Sequence, residues 1–171
     1  MHIILGIIGL ATAAYFLIMR ARHGAEIAHE LLDVADDIRA AARRFGFRRK
    51  GNQHPAESID DPQVALAGVA TAFIALDDLP TANARKKLEA SIARNLDLSQ
   101  SEANELCVLG QWLVEQSGGP TSGLTRLAKR QKRINGNDDF ATLSTILQGT
   151  LTGELSTRQT EALQELNNIF R

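Results

Sequence analysis

Cationic side chains have the clearest binding chemistry in this chain, and they fall in two clusters. Residues 43–50 (RRFGFRRK) hold five Arg or Lys and two Phe in eight positions. Arg and Lys attract anionic lipid headgroups, and Phe rings enter the membrane interface, so this cluster predicts either lipid contact or a topology signal that binds nothing specific. The second cluster, residues 126–133, places Arg126, Lys129, Arg130 and Arg133 at helical spacing. It predicts either a second contact with anionic lipid or an acidic partner, or a solvated helix surface.

Residue types needed for catalysis are scarce. Cys107 is the single cysteine, and all four histidines lie at or before His54. These positions exclude an internal disulfide, and they exclude a histidine-based triad within the C-terminal two-thirds. Residues 118–120 (GGP) lack the Lys of a phosphate-binding loop. We therefore expect that the chain is not an enzyme, and its formal charge of −1 does not indicate a nucleic-acid partner.

An uncharged apolar run near the N-terminus predicts a membrane anchor. Residues 3–19 (IILGIIGLATAAYFLIM) carry no charge and are followed by Arg20 and Arg22. As a helix this run spans roughly 25 Å, slightly less than the ~30 Å hydrocarbon core of a bilayer. Only His2 precedes the run, whereas a cleaved signal peptide begins with a cationic segment. We expect residues 1–22 to form a retained transmembrane anchor.

The distribution of basic residues predicts the orientation of this anchor. No Lys or Arg lies on its N-terminal side, and residues 20–50 hold eight basic and five acidic side chains. The positive-inside rule then places the body of the protein in the cytoplasm and the N-terminus outside, at a bacterial inner membrane. The side chains expected to contact lipid are Arg20, Arg22, Arg43, Arg44, Arg48, Arg49 and Lys50.

Residues 23–50 are predicted to form an amphipathic, basic connector helix. Its apolar positions recur at heptad spacing: Ile27, Leu31, Val34, Ile38, Ala41 and Phe45. This seam either packs against the chain's own domain or pairs two copies in a homodimer. Residues 51–60 (GNQHPAESID) are predicted to be a linker between the connector and the domain.

Residues 61–171 are predicted to form a compact, all-α domain of about six helices. Pro62 after Asp61, Thr81, Ser99 with Glu102 and Ser156 are helix-start signals, and no alternating β pattern occurs. The bundle is expected to hold six to seven helices and to follow both the transmembrane anchor and the connector helix. Cys107 and Trp112 are expected to be core residues.

Two similar turns within this domain suggest a degenerate internal repeat. Residues 77–81 (DDLPT) and 152–156 (TGELS) lie 75 positions apart, each between a helix of small apolar residues and one with a Leu stripe. On this basis the domain resembles the TerB-like family, an all-helical fold named from tellurite-resistance proteins. It is also similar to the cytoplasmic domain of membrane-anchored DjlA-type co-chaperones, including their order of anchor, basic connector and domain.

The motif behind the resemblance is Asp-Gly-Glu-Leu-Ser followed by a Glu-bearing helix. Residues 153–156 (GELS) match its second copy, although Thr152 stands at the Asp position. In the first copy Asp77 matches, whereas Asp78 stands at the Gly position. Residues 54–56 (HPA) differ from the His-Pro-Asp tripeptide of a J-domain. No J-domain is therefore expected.

The resemblance implies a divalent cation bound by Asp77, Asp78 and Glu154, with Glu161 as a further candidate ligand. A hard cation requires several oxygen ligands at one point. The alternative is that these residues are ordinary solvated turn residues or helix caps.

Two functions follow from the sequence. The first is a single-pass membrane-anchored interaction or scaffold module for an unknown protein partner, in envelope or metal stress. The alternative is a divalent-cation-sensing domain; no other cofactor is expected.

Overall fold

The computed structural model describes residues 36–77, 80–151 and 153–171. The predicted anchor, residues 1–22, and the first part of the predicted connector lie outside these ranges. No helix within the described ranges is both long and apolar enough to cross a membrane. The chain divides into two compact units, Met1–Asp37 and Ile38–Arg171, and the second is described below.

The second unit is all-helical, as the sequence predicts, and no β-strand occurs in the part of the chain that the structure describes. Residues 36–44 are helical and are called α1. The elements that follow are the 3-10 turn η1 (Pro55–Ser58), α2 (Pro62–Ile74), α3 (Ala82–Asn95), α4 (Gln100–Gln116), α5 (Pro120–Asn135), α6 (Phe140–Thr150) and α7 (Thr157–Phe170).

Helix α2 is the centre of the hydrophobic core. Its ten consecutive residues 64–73 are all buried, and it contacts α3, α4, α5 and α6. Small residues allow this close packing. A Cβ added to Gly110 of α4 would lie 2.9 Å from Thr71 Oγ1 and 3.2 Å from the Ala67 carbonyl oxygen. The absence of a side chain at Gly110 therefore sets how closely α2 and α4 approach.

Local capping signals fix where most helices begin. Asp61 Oδ1 accepts a hydrogen bond from Gln63 N at 2.8 Å, and Thr81 Oγ1 accepts one from Ala84 N at 3.1 Å. Helices α4 and α7 begin with capping boxes at Ser99 and Ser156, in which side chains satisfy the first free N–H groups. These four helix starts confirm the sequence-based predictions.

Residues 45–60, which we call the strap, differ from the predicted continuation of a helix to residue 50 and a linker over 51–60. Helix α1 ends at Arg44, and Gly46 adopts a φ of +64°, a conformation that favours glycine and ends the helix. Pro55, Ala56 and Ile59 are buried in the core. The domain therefore begins at Ile38 rather than at residue 61, because apolar strap residues gain free energy by burial.

The last part of the predicted heptad seam packs inside the domain. Ala41 is fully buried, and Ile38 and Phe45 are partly buried against the same core. These three positions favour packing against the chain's own domain. The earlier seam positions lie outside the described residues, so a homodimer through the connector stays a prediction.

Candidate functional site

The two predicted acidic turns border one cavity of about 200 Å³. Asp77 follows α2, and Glu154 precedes α7, and both line this acidic cavity together with Thr81, Thr150 and Gln159. The cavity thus brings together parts of both halves of the predicted repeat. Asp78 lies outside the described residues, and Glu161 of α7 is exposed and does not line the cavity.

Few side-chain oxygen atoms of the acidic cavity are available to coordinate a cation. Across residues 36–77, 80–151 and 153–171, no three His, Cys, Asp or Glu side chains form a group that could hold a metal ion. The hydroxyl of Thr81 already accepts the capping hydrogen bond of α3, and that of Thr150 donates to the Leu147 carbonyl oxygen at 2.6 Å. Asp77 and Glu154 are therefore the two described carboxylates that could bind a cation there.

The two predicted basic clusters meet at a single carboxylate, that of Asp60 in the strap. Lys50 Nζ lies 2.6 Å from Asp60 Oδ2, and Arg130 Nη2 lies 3.1 Å from Asp60 Oδ1. The hydrogen bond from Lys50 holds the pKa of Asp60 below its ordinary value. Arg130 Nε also donates to the Ile59 carbonyl oxygen at 2.7 Å. These contacts join the strap and α5 into one surface, which we call the basic surface.

A second ion pair strengthens this junction. In α5, Arg133 Nη1 lies 2.8 Å from Glu57 Oε2, and Arg133 Nη2 donates to Glu57 Oε1 at 3.0 Å. Such paired hydrogen bonds fix the direction of a guanidinium group. The backbone N–H of Lys50 also donates to Ser58 Oγ at 3.0 Å, and this hydrogen bond links the first part of the strap to η1 within it.

His54 ties the strap to α4. Its Nδ1 accepts a hydrogen bond from Ala56 N at 3.2 Å and caps η1, while its Nε2 lies 2.9 Å from the Gln116 carbonyl oxygen. A carbonyl oxygen only accepts, so Nε2 is the protonated nitrogen and Nδ1 is left free to accept. Nearby, the rings of Phe47 and Trp112 pack edge to face with centroids 5.8 Å apart.

A groove of about 470 Å³ lies along the outer side of α5. Its lining, which defines the α5 groove, consists of Glu57, Thr121, Ser122, Thr125, Arg126, Lys129 and Arg133. Glu57 neutralises Arg133, whereas neither Arg126 nor Lys129 forms an ion pair with another described residue. Two exposed cations without acidic partners therefore face a concave surface.

The other residues predicted to contact lipid differ in their surroundings. Arg44 Nε donates to Glu105 Oε2 at 2.7 Å, and its Nη1 lies 3.3 Å from Glu102 Oε1. The bond to Glu105 raises the pKa of Arg44 and directs this side chain to α4. Arg48 and Arg49 are exposed and make no ion pair with the described residues. Arg20 and Arg22 lie outside the described ranges.

Cys107 is packed against the core, as predicted, and is not a reactive thiol. Burial, together with the smaller effect of the nearby Glu89 carboxylate, raises its pKa to about 12. The nucleophilic thiolate is therefore absent at neutral pH. Trp112 is likewise partly buried against the core.

Sequence reasoning missed three residues that organise the basic surface: His54, Glu57 and Asp60. All three lie in the region that was predicted to be a linker. One local signal was present, because a polar side chain directly before Pro55 is typical of a helix start. Their partners on α4 and α5 are 62 to 76 positions away, so no local pattern indicates these contacts.

Comparison of the chain with protein-family models, with curated proteins and with solved structures gives no match. The TerB-like resemblance rests on the motif residues alone.

Proposed function

We propose that this chain is a membrane-tethered, TerB-like interaction module whose basic surface lies against anionic lipid. One observation supports this function above others: the carboxylate of Asp60 binds both Lys50 and Arg130. The two basic clusters are far apart in the sequence, and Asp60 thereby holds them on a common surface. The proposed setting, envelope or metal stress, is taken from the TerB-like resemblance.

The proposed mechanism combines a strong tether with weak surface contacts. Each basic residue near an anionic leaflet contributes about 1 kcal/mol. Arg48, Arg49, Arg126 and Lys129 are four exposed cations of the basic surface that make no ion pair with another described residue. Their sum is too weak for stable binding from solution, but an anchor keeps the domain at high local concentration beside the bilayer. The contacts then set its orientation and the surface that a protein partner meets.

The full chain in lipid nanodiscs provides a direct test. A fluorophore is attached at Gln53→Cys in the strap, or at Ala90→Cys on α3 as a control, in a Cys107→Ser background; both positions are exposed. Quenching by nitroxide headgroups should increase at residue 53, and not at residue 90, when phosphatidylglycerol replaces phosphatidylcholine. The double variant Arg48→Gln/Arg49→Gln should reduce this increase, and Arg85→Gln/Lys86→Gln on α3 should not. Equal quenching at both positions in both lipids would refute the proposal.

The alternative function, divalent-cation sensing, is favoured by a separate observation: Asp77 and Glu154 line the same cavity. A cation at 100 times its dissociation constant stabilises the native state by about 2.7 kcal/mol. The full chain, treated with chelator in neutral detergent, should melt at a higher temperature with one of Mg²⁺, Ca²⁺, Mn²⁺ or Zn²⁺. Asp77→Asn should abolish the increase. An unchanged melting temperature with all four ions would reject this alternative.

A further inference from the structure

The α5 groove has the dimensions and the chemistry of a small-ligand site. Its volume of about 470 Å³ lies within the range of small-molecule sites, which is roughly 300–1,000 Å³. Arg126 and Lys129 are three residues apart and therefore lie on the same side of the helix. Ser122, four residues before Arg126, places its hydroxyl in the same row. One ligand of a few polar groups can thus contact all three side chains.

The ion pairs around the groove decide its net charge. Arg133 is bound to Glu57 by two contacts of 2.8 and 3.0 Å, so this pair is formally neutral. Arg130 turns away from the groove to Asp60 and to the Ile59 carbonyl oxygen. Arg126 and Lys129 therefore remain as the two lining cations without an ion pair, and the Glu165 carboxylate, which accepts from Thr125, adds one negative charge on the α7 side of the groove. A phosphomonoester, which carries about −1.5 to −2 at neutral pH, can pair with both cations, whereas a phosphodiester carries only one negative charge.

The hydroxyl groups of the groove favour a polar substituent on the phosphate. Thr125 Oγ1 donates its hydrogen to Glu165 Oε1 at 2.6 Å, so it is occupied as a donor. Ser122 Oγ makes no hydrogen bond with the described residues and remains able to donate and accept. Arg recognises phosphate through its planar donor pair, and Lys contributes a mobile ammonium group.

We propose that the α5 groove binds a phosphomonoester, with the phosphate between Arg126 and Lys129 and an oxygen-bearing substituent, such as an ester or a hydroxyl group, at Ser122. Two sources share this chemistry: the headgroup of phosphatidic acid and a soluble organic phosphate. The lipid source rests on the function proposed above, because it needs α5 to face the bilayer. The soluble source does not.

Calorimetric titration of the full chain in neutral detergent tests the binding chemistry. Glycerol 3-phosphate should bind at about pH 7.5, where the phosphate is doubly charged, and more weakly at about pH 5. Dimethyl phosphate, a monoanionic diester, should bind at least about tenfold more weakly. Arg126→Gln/Lys129→Gln should lose at least about tenfold in affinity. The matched control Arg85→Gln/Lys86→Gln removes the same two charges from exposed positions of α3 and should bind as the natural chain does.

Nanodiscs identify the source of the phosphate. Phosphatidic acid and phosphatidylglycerol are compared at equal bilayer charge, with the fluorophore at residue 53 as before. Stronger quenching with phosphatidic acid, removed by Arg126→Gln/Lys129→Gln, assigns the lipid headgroup. Binding of glycerol 3-phosphate without that lipid preference assigns a soluble phosphate.

The two proposals fail in different ways. Equal quenching with both anionic lipids, with no calorimetric binding, would overturn the phosphate site but keep the basic surface. Calorimetric binding without any response to anionic lipid would keep the phosphate site and overturn the membrane orientation. A loss of affinity that is the same in the α3 control as in the groove variant would also overturn the phosphate site.

Discussion

Helices α2 and α5 pack against each other, yet they use their surfaces in opposite ways. Helix α2 carries no charged residue and is buried over residues 64–73. Helix α5 carries five basic and no acidic residues, and it buries only a narrow stripe that includes Leu124 and Leu127. The comparison indicates that α2 supplies the core of the domain, whereas α5 presents the charged surface on which both binding proposals rest. Substitutions in the two helices should therefore separate stability from binding.

Removal of a core aromatic side chain from α2 should have the largest effect. Phe73 is fully buried. Phe73→Ala should lower the free energy of unfolding by about 3–5 kcal/mol, because it removes apolar contacts and leaves a cavity. Thermal unfolding of the full chain, followed by circular dichroism, should show a midpoint lower by roughly 10 °C. A shift below that seen for exposed α5 variants would contradict the central role of α2.

An added methyl group at the α2–α4 crossing should have the next largest effect. In Gly110→Ala the new Cβ meets the backbone carbonyl of Ala67 at 3.2 Å, and backbone cannot move aside as a flexible side chain does. We expect a loss of about 1–3 kcal/mol. Gly153→Ala is the matched control, because nothing lies within 4 Å of its added Cβ. Comparable melting temperatures for both variants would show that the helices do not cross so closely.

Loss of the strap's attachment to α4 should destabilise the domain less. His54→Ala removes the cap of η1 and the hydrogen bond to Gln116, and we expect a cost of about 1–2 kcal/mol. His54→Asn keeps a capping side chain for the Ala56 N–H and should recover part of this loss. Denaturant midpoints measure the series, and an alanine variant as stable as the natural chain would refute the attachment.

The junction at Asp60 should give the smallest effect and the one that depends on pH. The folded-state pKa of Asp60 lies below its ordinary value of 3.8, so its ion pairs contribute stability above that pH. The contribution is lost as pH falls through the lower folded-state pKa. Asp60→Asn should therefore be less stable than the natural chain near neutral pH, and the difference should disappear at acidic pH. A difference that persists in acid would mean that Asp60 acts through packing and not through charge.

The sequence predicts what local interactions decide. Four helix starts follow from side chains within three residues of the N–H groups that they cap, at Asp61, Thr81, Ser99 and Ser156. Both basic clusters and both acidic turns are likewise visible as patterns. Their placement is a matter of tertiary packing, because Asp60 meets Arg130 across 70 positions of sequence. The strap was missed for the same reason: its polar composition resembles a linker, and its burial depends on distant helices.

The order in which the end of α1 and the strap contact α4 has a mechanical consequence. Arg44, Phe47 and His54 contact α4 at successive points, Glu105, Trp112 and Gln116, so chain and helix run in the same direction. Tension applied from the N-terminal side, across the direction of α4, would act on Arg44, Phe47 and His54 in that order before it reaches α2, which follows them in the chain. Release as far as His54 lengthens the chain by at most about 35 Å. The strap is thus the segment of this unit that such a force meets before α2.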